Sequence, residues 1–213
     1  MSCRHLDRCA GCPRMHLSAT EQLDAKRERL GRALRRHAAL DALAAPSVVG
    51  AEPTLGYRTR LKWMVQGGRL GMYEVGKDHR VVDTPDCLVA APLLLAIART
   101  IRAQAGALGL DAVDLREVLD DSSPRALVTL VVATRIDEAR LRAFASSLVA
   151  AHPEIAGVAV NLRGKANPQV LGHDTRLLVG KREARDRIGR AYVYATFGAF
   201  VQAHRGQARE IAR

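Results

Sequence analysis

The sequence predicts an α+β fold, with a small Cys-rich cluster module followed by a central domain on a mixed antiparallel sheet. Strand-like and helix-like runs interleave without strict βαβα alternation. A period-two run meets a second one across Gly67 and Gly68, the signature of an antiparallel hairpin. Three of the four cysteines, Cys3, Cys9 and Cys12, fall within the first 17 residues. The chain has 213 residues and 23.1 kDa, enough to bury a core. We divide it into residues 1–45, the cysteine-bearing segment and a basic helix; 46–195, a central α+β domain that also supplies Cys87; and 196–213, the start of a further connection.

Each element has a local reason. Ser18 followed by Glu21 is a capping-box pattern and predicts a helix to about Ala39, with Leu23, Leu30 and Leu34 at helical spacing. Its other face carries Lys26, Arg27, Arg29, Arg32, Arg35 and Arg36, a solvated or a phosphate-tracking surface. From Tyr57 to Val65 the alternation places Tyr57, Thr59, Leu61, Trp63 and Val65 on one face and Arg58, Arg60, Lys62 and Met64 on the other. A second strand, Arg69 to Val75, completes a ribbon with a basic stripe of Arg58, Arg60 and Lys62 suited to an RNA backbone. Pro92 opens an apolar helix to about Ala105. Strands at Leu115–Leu119 and Ala126–Thr134 flank a turn at Ser122, Ser123 and Pro124. A helix follows from Asp137 to Ala151, then strand-like runs at Val158–Leu162, Leu177–Val179 and Ala191–Tyr194. The chain ends inside a helix that begins after His204 and has no Gly, Asn or Pro stop, so we expect a continuation.

Composition narrows the function classes. No run approaches the roughly 18 apolar residues of a membrane span, and the N-terminus has no apolar secretory region, so we expect a cytoplasmic protein without a membrane partner. Lys and Arg total 33 against 22 Asp and Glu, a net charge of +11. This favours a polyanionic partner, and 28 of the 33 are Arg, the side chain that grips phosphate bidentately. The 35 Ala leave composition bias as an alternative source of the charge. Eight aromatic residues are too few for an extended base-stacking surface, which argues against a single-strand coating protein.

The cysteines carry the strongest chemistry. Cys3, Cys9 and Cys12 form a C-x5-C-x2-C cluster with one remote partner, Cys87, and a disulfide framework does not suit a cytoplasmic chain. Four thiolates suit zinc or an iron-sulfur cluster, and unrelated buried thiols are the third reading. Gly11 lets the backbone turn tightly, while His5 and His16 are further, unneeded donors.

The opening CRHLDRCAGCPRMHLSATEQLDAKRERL resembles the N-terminus of the iron-sulfur-containing RNA (uracil-5-)-methyltransferases. The segments YRTRLKWMV, GGRLGMYEVG and VVDTPDCLV resemble that family's centre, and VAVNLRGKANPQVLGHDTRLLVG with FGAFVQAH resembles its approach to the methyltransferase domain. The likeness covers essentially the whole chain in order and is greatest to members without the N-terminal TRAM domain. It implies that Cys3, Cys9, Cys12 and Cys87 ligate a structural [4Fe-4S] cluster. Ala10 and Gly11 stand where the family has paired glycines. Phe200, Val201, Gln202, Ala203 and His204 stand for the family's Phe-Phe-Gln-x-Asn, which gives Gln202 a contact to the methyl donor and puts His204 in place of the Asn.

The family's chemistry is addition of a cysteine thiolate to uracil C6, methylation of the activated C5 by S-adenosylmethionine, and loss of the C5 proton to a carboxylate. All four cysteines here are assigned to the cluster, and no Gly-rich strand-turn-helix loop occurs, so we expect the SAM-binding Rossmann-like domain to be absent from this chain. The resemblance implies the front half of an RNA uracil-C5 methyltransferase acting on structured RNA, ribosomal ahead of transfer RNA. The alternatives are a non-catalytic iron-sulfur or zinc RNA-binding protein, and one subunit of a split enzyme whose methyltransferase domain lies on a separate chain.

Overall fold

The computed structural model describes residues 3–44, 46–76, 79–121, 123–133, 137–164 and 169–212. Its centre is a seven-stranded mixed sheet in the order β3-β2-β1-β4-β5-β6-β7. The strands are β1 (Arg60–Gln66), β2 (Arg69–Tyr73), β3 (Val81–Asp83), β4 (Ala112–Asp120), β5 (Ser123–Val132), β6 (Ile155–Leu162) and β7 (Asp174–Gly180). All neighbours are antiparallel except β5 and β6, which the crossover helix α3 (Glu138–Ala151) joins in parallel. The α+β class with a mixed sheet is therefore observed. A separate two-stranded sheet, β8 (Glu183–Ile188) and β9 (Ala191–Thr196), lies against β4, and α4 (Arg205–Ile211) packs on β8.

Helix spacing explains one layer. In α2 (Pro92–Gln104), Leu94, Ile97, Ala98 and Ile101 recur at i, i+3, i+4 and i+7 and are buried. In α3 the set is Leu141, Ala145 and Leu148, below the Asp137 cap that accepts from the Arg140 amide. Both sets join Leu61 and Trp63 of β1, Val113 and Leu115 of β4, Val128 and Leu130 of β5, and Val158 and Val160 of β6 in one core. Each fully buried large side chain contributes about 1.5–3 kcal/mol.

The other sheet face departs from the expected polar stripe. Met64 is buried there with Val81, Ala112 and Val131. Arg60 is also taken out of solvent: Nε and Nη2 donate to the two carboxylate oxygens of Asp114 at 2.9 and 2.6 Å, and Nη1 donates to the Ala199 carbonyl. Next along β4, Arg116 meets Asp186 of β8 at 3.3 Å. Arg205 of α4 reaches the same carboxylate at 2.7 Å, and Asp186 also accepts from the Leu119 amide at 3.0 Å. The Asp186 side chain is 1% exposed, so one carboxylate holds the small sheet and α4 to β4. Burial pushes the Arg116 guanidinium below its ordinary value, a shift that Asp186 partly offsets. Glu117 is pushed up, first by burial and then by Asp186, against the pull of Arg205.

Several element boundaries differ from the sequence reading. Strand β1 starts at Arg60, not Tyr57, because residues 56–59 bond elsewhere: the Gly56 and Arg58 amides reach Leu88 and Val89 carbonyls, and the Thr59 amide reaches Ala203. Helix α1 (Ala19–Leu34) has both capping-box bonds at Ser18 and Glu21 but ends five residues early, and a 3₁₀ turn follows at Ala38–Leu40. Strands β3 and β8 were not anticipated, being respectively very short and strongly charged. Ser122 and Thr134 lie outside the described residues.

Removing the shared carboxylate leaves Arg116 and Arg205 without their anion. Asp186→Ala is expected to lower the free energy of unfolding by about 3–5 kcal/mol, read as an earlier denaturant midpoint, with Asp186→Asn losing less because it can still accept from the Leu119 amide.

Candidate functional site

The three N-terminal cysteines lie on a segment of consecutive turns with no core of its own. Leu6 bonds to the Cys3 carbonyl, Cys9 to His5 and Met15 to Cys12. The segment docks on the hairpin through its backbone: the Ala10 amide donates to Tyr73 at 3.1 Å, and the Val75 amide to Arg8 at 2.8 Å. Cys87 comes from the connection between β3 and α2, where its amide bonds to the Thr84 carbonyl. Asp86, its neighbour, receives Arg4 at 2.7 Å and His5 at 2.8 Å, so the carboxylate beside the fourth cysteine clamps the start of the segment that carries the first. Burial pushes the Asp86 carboxyl up, but His5 and Arg4 outweigh it and hold the group below the usual range.

Cys3, Cys9, Cys12 and Cys87 all line one cavity, with Trp63, Met72, Leu88 and Val89 as its apolar wall. All four are free thiols. Burial pushes the thiols of Cys9 and Cys12 up; neighbouring cysteines push the same way and Arg58 pulls against them. The cavity is also supplied with donors for anionic sulfur. The Gly11 amide points at Cys9 Sγ at 3.4 Å, Arg58 reaches in while donating to the Gly11 carbonyl at 3.3 Å, and the buried Thr84 hydroxyl has no partner among the described residues. A Cβ at Gly11 would lie 3.4 Å from Cys9 Sγ and 3.6 Å from the Met72 side chain, in ordinary contact with both. Among the described residues, no three His, Cys, Asp or Glu side chains group as a site for a single metal ion. His5 is engaged by Asp86, and His16 is exposed and away from the cavity.

The proposed basic stripe does not form. Arg58 faces the cysteines, Arg60 is buried on Asp114, and only Lys62 is exposed. Positive charge gathers elsewhere, in a groove lined by Arg14 from the cysteine segment, by Arg29, Arg32 and Ala33 of α1 and by Arg36 just past its end. Arg32 pairs with Glu28, whereas Arg14, Arg29 and Arg36 have no carboxylate partner among the described residues. Helix α1 buries only Gly31, so this face is open to a polyanion.

Gln202 is exposed on the extended segment before α4 and does not line the cysteine cavity. That segment is tied to the sheet through Ala199 on Arg60 and Ala203 on Thr59. His204 caps α4: one ring nitrogen accepts from the Gln207 amide at 3.3 Å, the other donates to the Pro53 carbonyl at 3.0 Å, and the ring stacks on Tyr57 at 4.6 Å. An Asn would make the same cap, so the departure from the family pattern keeps the local backbone role. Sequence reading missed Asp86, Thr84 and Asp186. The usable signal was a charged or polar residue beside a ligand-type cysteine, or inside an otherwise apolar strand.

The fold is similar to part of a solved methyltransferase. The crystal structure of the Pyrococcus abyssi tRNA (uracil-54, C5)-methyltransferase in complex with S-adenosyl-L-homocysteine superposes with a TM-score of 0.74 over 99% of this chain and 50% of that one, at 18% identity. In sequence the chain is similar to RNA methyltransferases: it is 34% identical over 151 residues to the 23S rRNA (uracil(1939)-C(5))-methyltransferase RlmD of Halomonas elongata, covering 68% of this chain and 31% of that protein. It is 22% identical to an uncharacterized RNA methyltransferase of Synechocystis, covering 97% and 48%. No protein-family model matches. The chain thus spans about half or less of the length of these relatives. No helix among the described residues is long and apolar enough to cross a membrane.

If the α1 groove holds RNA, reversing Arg14, Arg29 and Arg36 to Glu will weaken binding of a duplex RNA and flatten the salt dependence by about one unit of slope per lost contact, with the unfolding midpoint unchanged.

Proposed function

We propose that this chain is the front half of an RNA uracil-C5 methyltransferase, ribosomal RNA ahead of transfer RNA, with a [4Fe-4S] cluster held by Cys3, Cys9, Cys12 and Cys87. The single observation that carries this reading is the convergence of a turn segment and a distant loop, 75 residues apart at Cys12 and Cys87, on one cavity lined by four free thiols. The similarity to named uracil-C5 methyltransferases supplies the reaction class.

The residues fit the cluster. A four-iron cluster offers each thiolate its own iron, so the donors need to face one cavity and not meet at one point. Arg58, the Gly11 amide and the Thr84 hydroxyl, which has no partner among the described residues, offset the negative charge of ligated sulfur. Raised Cys9 and Cys12 thiols mean that ligation releases protons there. When bound, the cluster supplies a cross-link between a segment without a core and the sheet edge.

In this reading S-adenosylmethionine supplies the methyl group, as the S-adenosyl-L-homocysteine bound to the Pyrococcus relative suggests, and Gln202 contributes to its site. With all four cysteines taken by the cluster, none of them serves as the nucleophile in this reading. Residues 1–45 and 46–195 act as cluster segment and RNA-engaging domain, with the α1 groove and Lys62 meeting phosphate and 196–213 leading toward the donor.

Two experiments test the reading. Anaerobically purified protein should contain iron and acid-labile sulfide in equal amounts, and Cys87→Ser should lose both; stoichiometric zinc without sulfide would overturn the cluster assignment. The endogenous protein containing these residues, captured from its own cells, should transfer methyl from S-adenosylmethionine to C5 of uracil in ribosomal RNA. Iron and sulfide without methyl transfer to ribosomal or transfer RNA would leave the non-catalytic RNA-binding reading in its place.

A further inference from the structure

The small β8–β9 sheet has two unlike faces. Inward, Ala184 and Ala195 pack with Val118 and Leu127, and Asp186 holds Arg116 and Arg205. Outward, the register sets Arg185 opposite Tyr194 and Arg187 opposite Tyr192. Two rings and two guanidinium groups therefore alternate on one open surface, which the Glu183–Thr196 pair closes at its far end, an arrangement hidden in the sequence because the paired Arg and Tyr residues lie five to nine positions apart.

Half of this surface is fixed. The Tyr192 hydroxyl donates to Asp121 at 2.8 Å, and the Arg185 guanidinium carbon sits 4.7 Å from the centre of the Tyr192 ring. Asp120, at 2.9 Å, and Asp121 hold Arg185 and neutralise it. The other half is open. Tyr194 is 68% exposed, and its side chain has no hydrogen bond, ring contact or cation above it among the described residues. Arg187, exposed beside Tyr192 at 5.8 Å, donates only to the Gly189 carbonyl at 3.3 Å and has no carboxylate partner among the described residues.

We propose that the outer face of β8–β9 is a stacking platform for an unpaired RNA nucleotide, with the base on Tyr194 and the adjoining phosphate on Arg187. Chemistry favours this occupant over a protein. Across the pair the exposed ring faces Arg185, with Arg187 on one diagonal and Glu183 on the other, at the end of the face away from Arg187; Asp120 and Asp121 are already used by Arg185 and Tyr192. A bare aromatic face beside an unneutralised guanidinium matches a base with its phosphate. The nucleotide must be unpaired, because a base inside a duplex has both faces covered. The inference deepens the RNA-methyltransferase reading and rests on it: it names the part of the RNA that this surface takes.

The test uses the 213-residue chain, loaded with whatever metal it holds on purification, and two fluorescent RNA probes at physiological salt. One is a hairpin with an unpaired, uridine-rich loop; the other is the fully paired duplex of the same stem. Tyr194→Ala should weaken hairpin binding about 5- to 100-fold, the range for losing one stacked base, and change duplex binding less than about twofold. Tyr194→Phe, which keeps the ring, should bind like the parent, and an unchanged unfolding midpoint shows that the fold is intact. Arg187→Ala should weaken hairpin binding and reduce its salt slope by about one. Hairpin binding by Tyr194→Ala within twofold of the parent overturns the platform alone, as does an equal loss on both probes, which would mean phosphate contact without stacking. A parent that binds neither probe overturns the RNA reading along with it.

Discussion

Two opposite charges in the middle of strand β4, Asp114 and Arg116, govern one whole side of this molecule. Both lie on the sheet face away from α2 and α3, and both are nearly excluded from water. An unpaired charge there is costly, so each has to recruit a partner from another element. Asp114 takes Arg60 from β1 in a two-pronged contact, and Arg116 takes Asp186 from β8. Asp186 then draws in Arg205 of α4 and the Leu119 amide beyond the end of β1–β4 pairing. The position of the small sheet, of α4 and of the segment bearing Gln202 follows from these demands together with the packing of Val118, Leu127, Ala184 and Ala195 with Ala156 and Phe197, while Met64, Val81, Ala112 and Val131 form a second apolar group on the same side.

The opposite side of the sheet follows ordinary rules. Leucine, isoleucine and valine from two helices and six strands fill it at the spacings that each element dictates. The cysteine cavity sits at the edge of that core, where Trp63 and Met72 form its apolar wall. Arg58 links the two sides. Its side chain enters the cysteine cavity, while its backbone bridges to Ala90 on the way to α2 and to His204 at the start of α4. A short stretch before β1 is thereby common to the thiols and to the segment that precedes the last helix.

Much of the fold was readable wherever a local signal and its tertiary use agreed. The Ser18–Glu21 box, the Gly67–Gly68 turn, the Pro92 start and the Asp137 cap each satisfy backbone groups within a few residues, so no distant element can override them. The reading failed where a residue's partner is remote. Arg58, Arg60 and Lys62 alternate as a soluble strand edge would, yet two of them are claimed by Gly11 and Asp114, 47 and 54 residues away. Met64 shares that alternation and is buried because β3 and β5 bring Val81 and Val131 to it. Strand β8 carries Arg185, Asp186 and Arg187 in succession, a pattern that looks like a loop until β9 pairs with it and Asp186 finds Arg116.

By itself the sequence determined the α+β class, most helices and strands, and the inventory of a four-thiol site, since periodicity, caps and cysteine count are properties of the chain that need no partner. Only the tertiary structure decided that Cys87 faces the same cavity as Cys3, Cys9 and Cys12, that Asp86 clamps the segment beside it, and that Arg58 and Arg60 are taken up by Gly11 and Asp114. The physical reason is that burial and pairing of a charge are set by which distant residue reaches it first, and no local pattern in the chain records that distance.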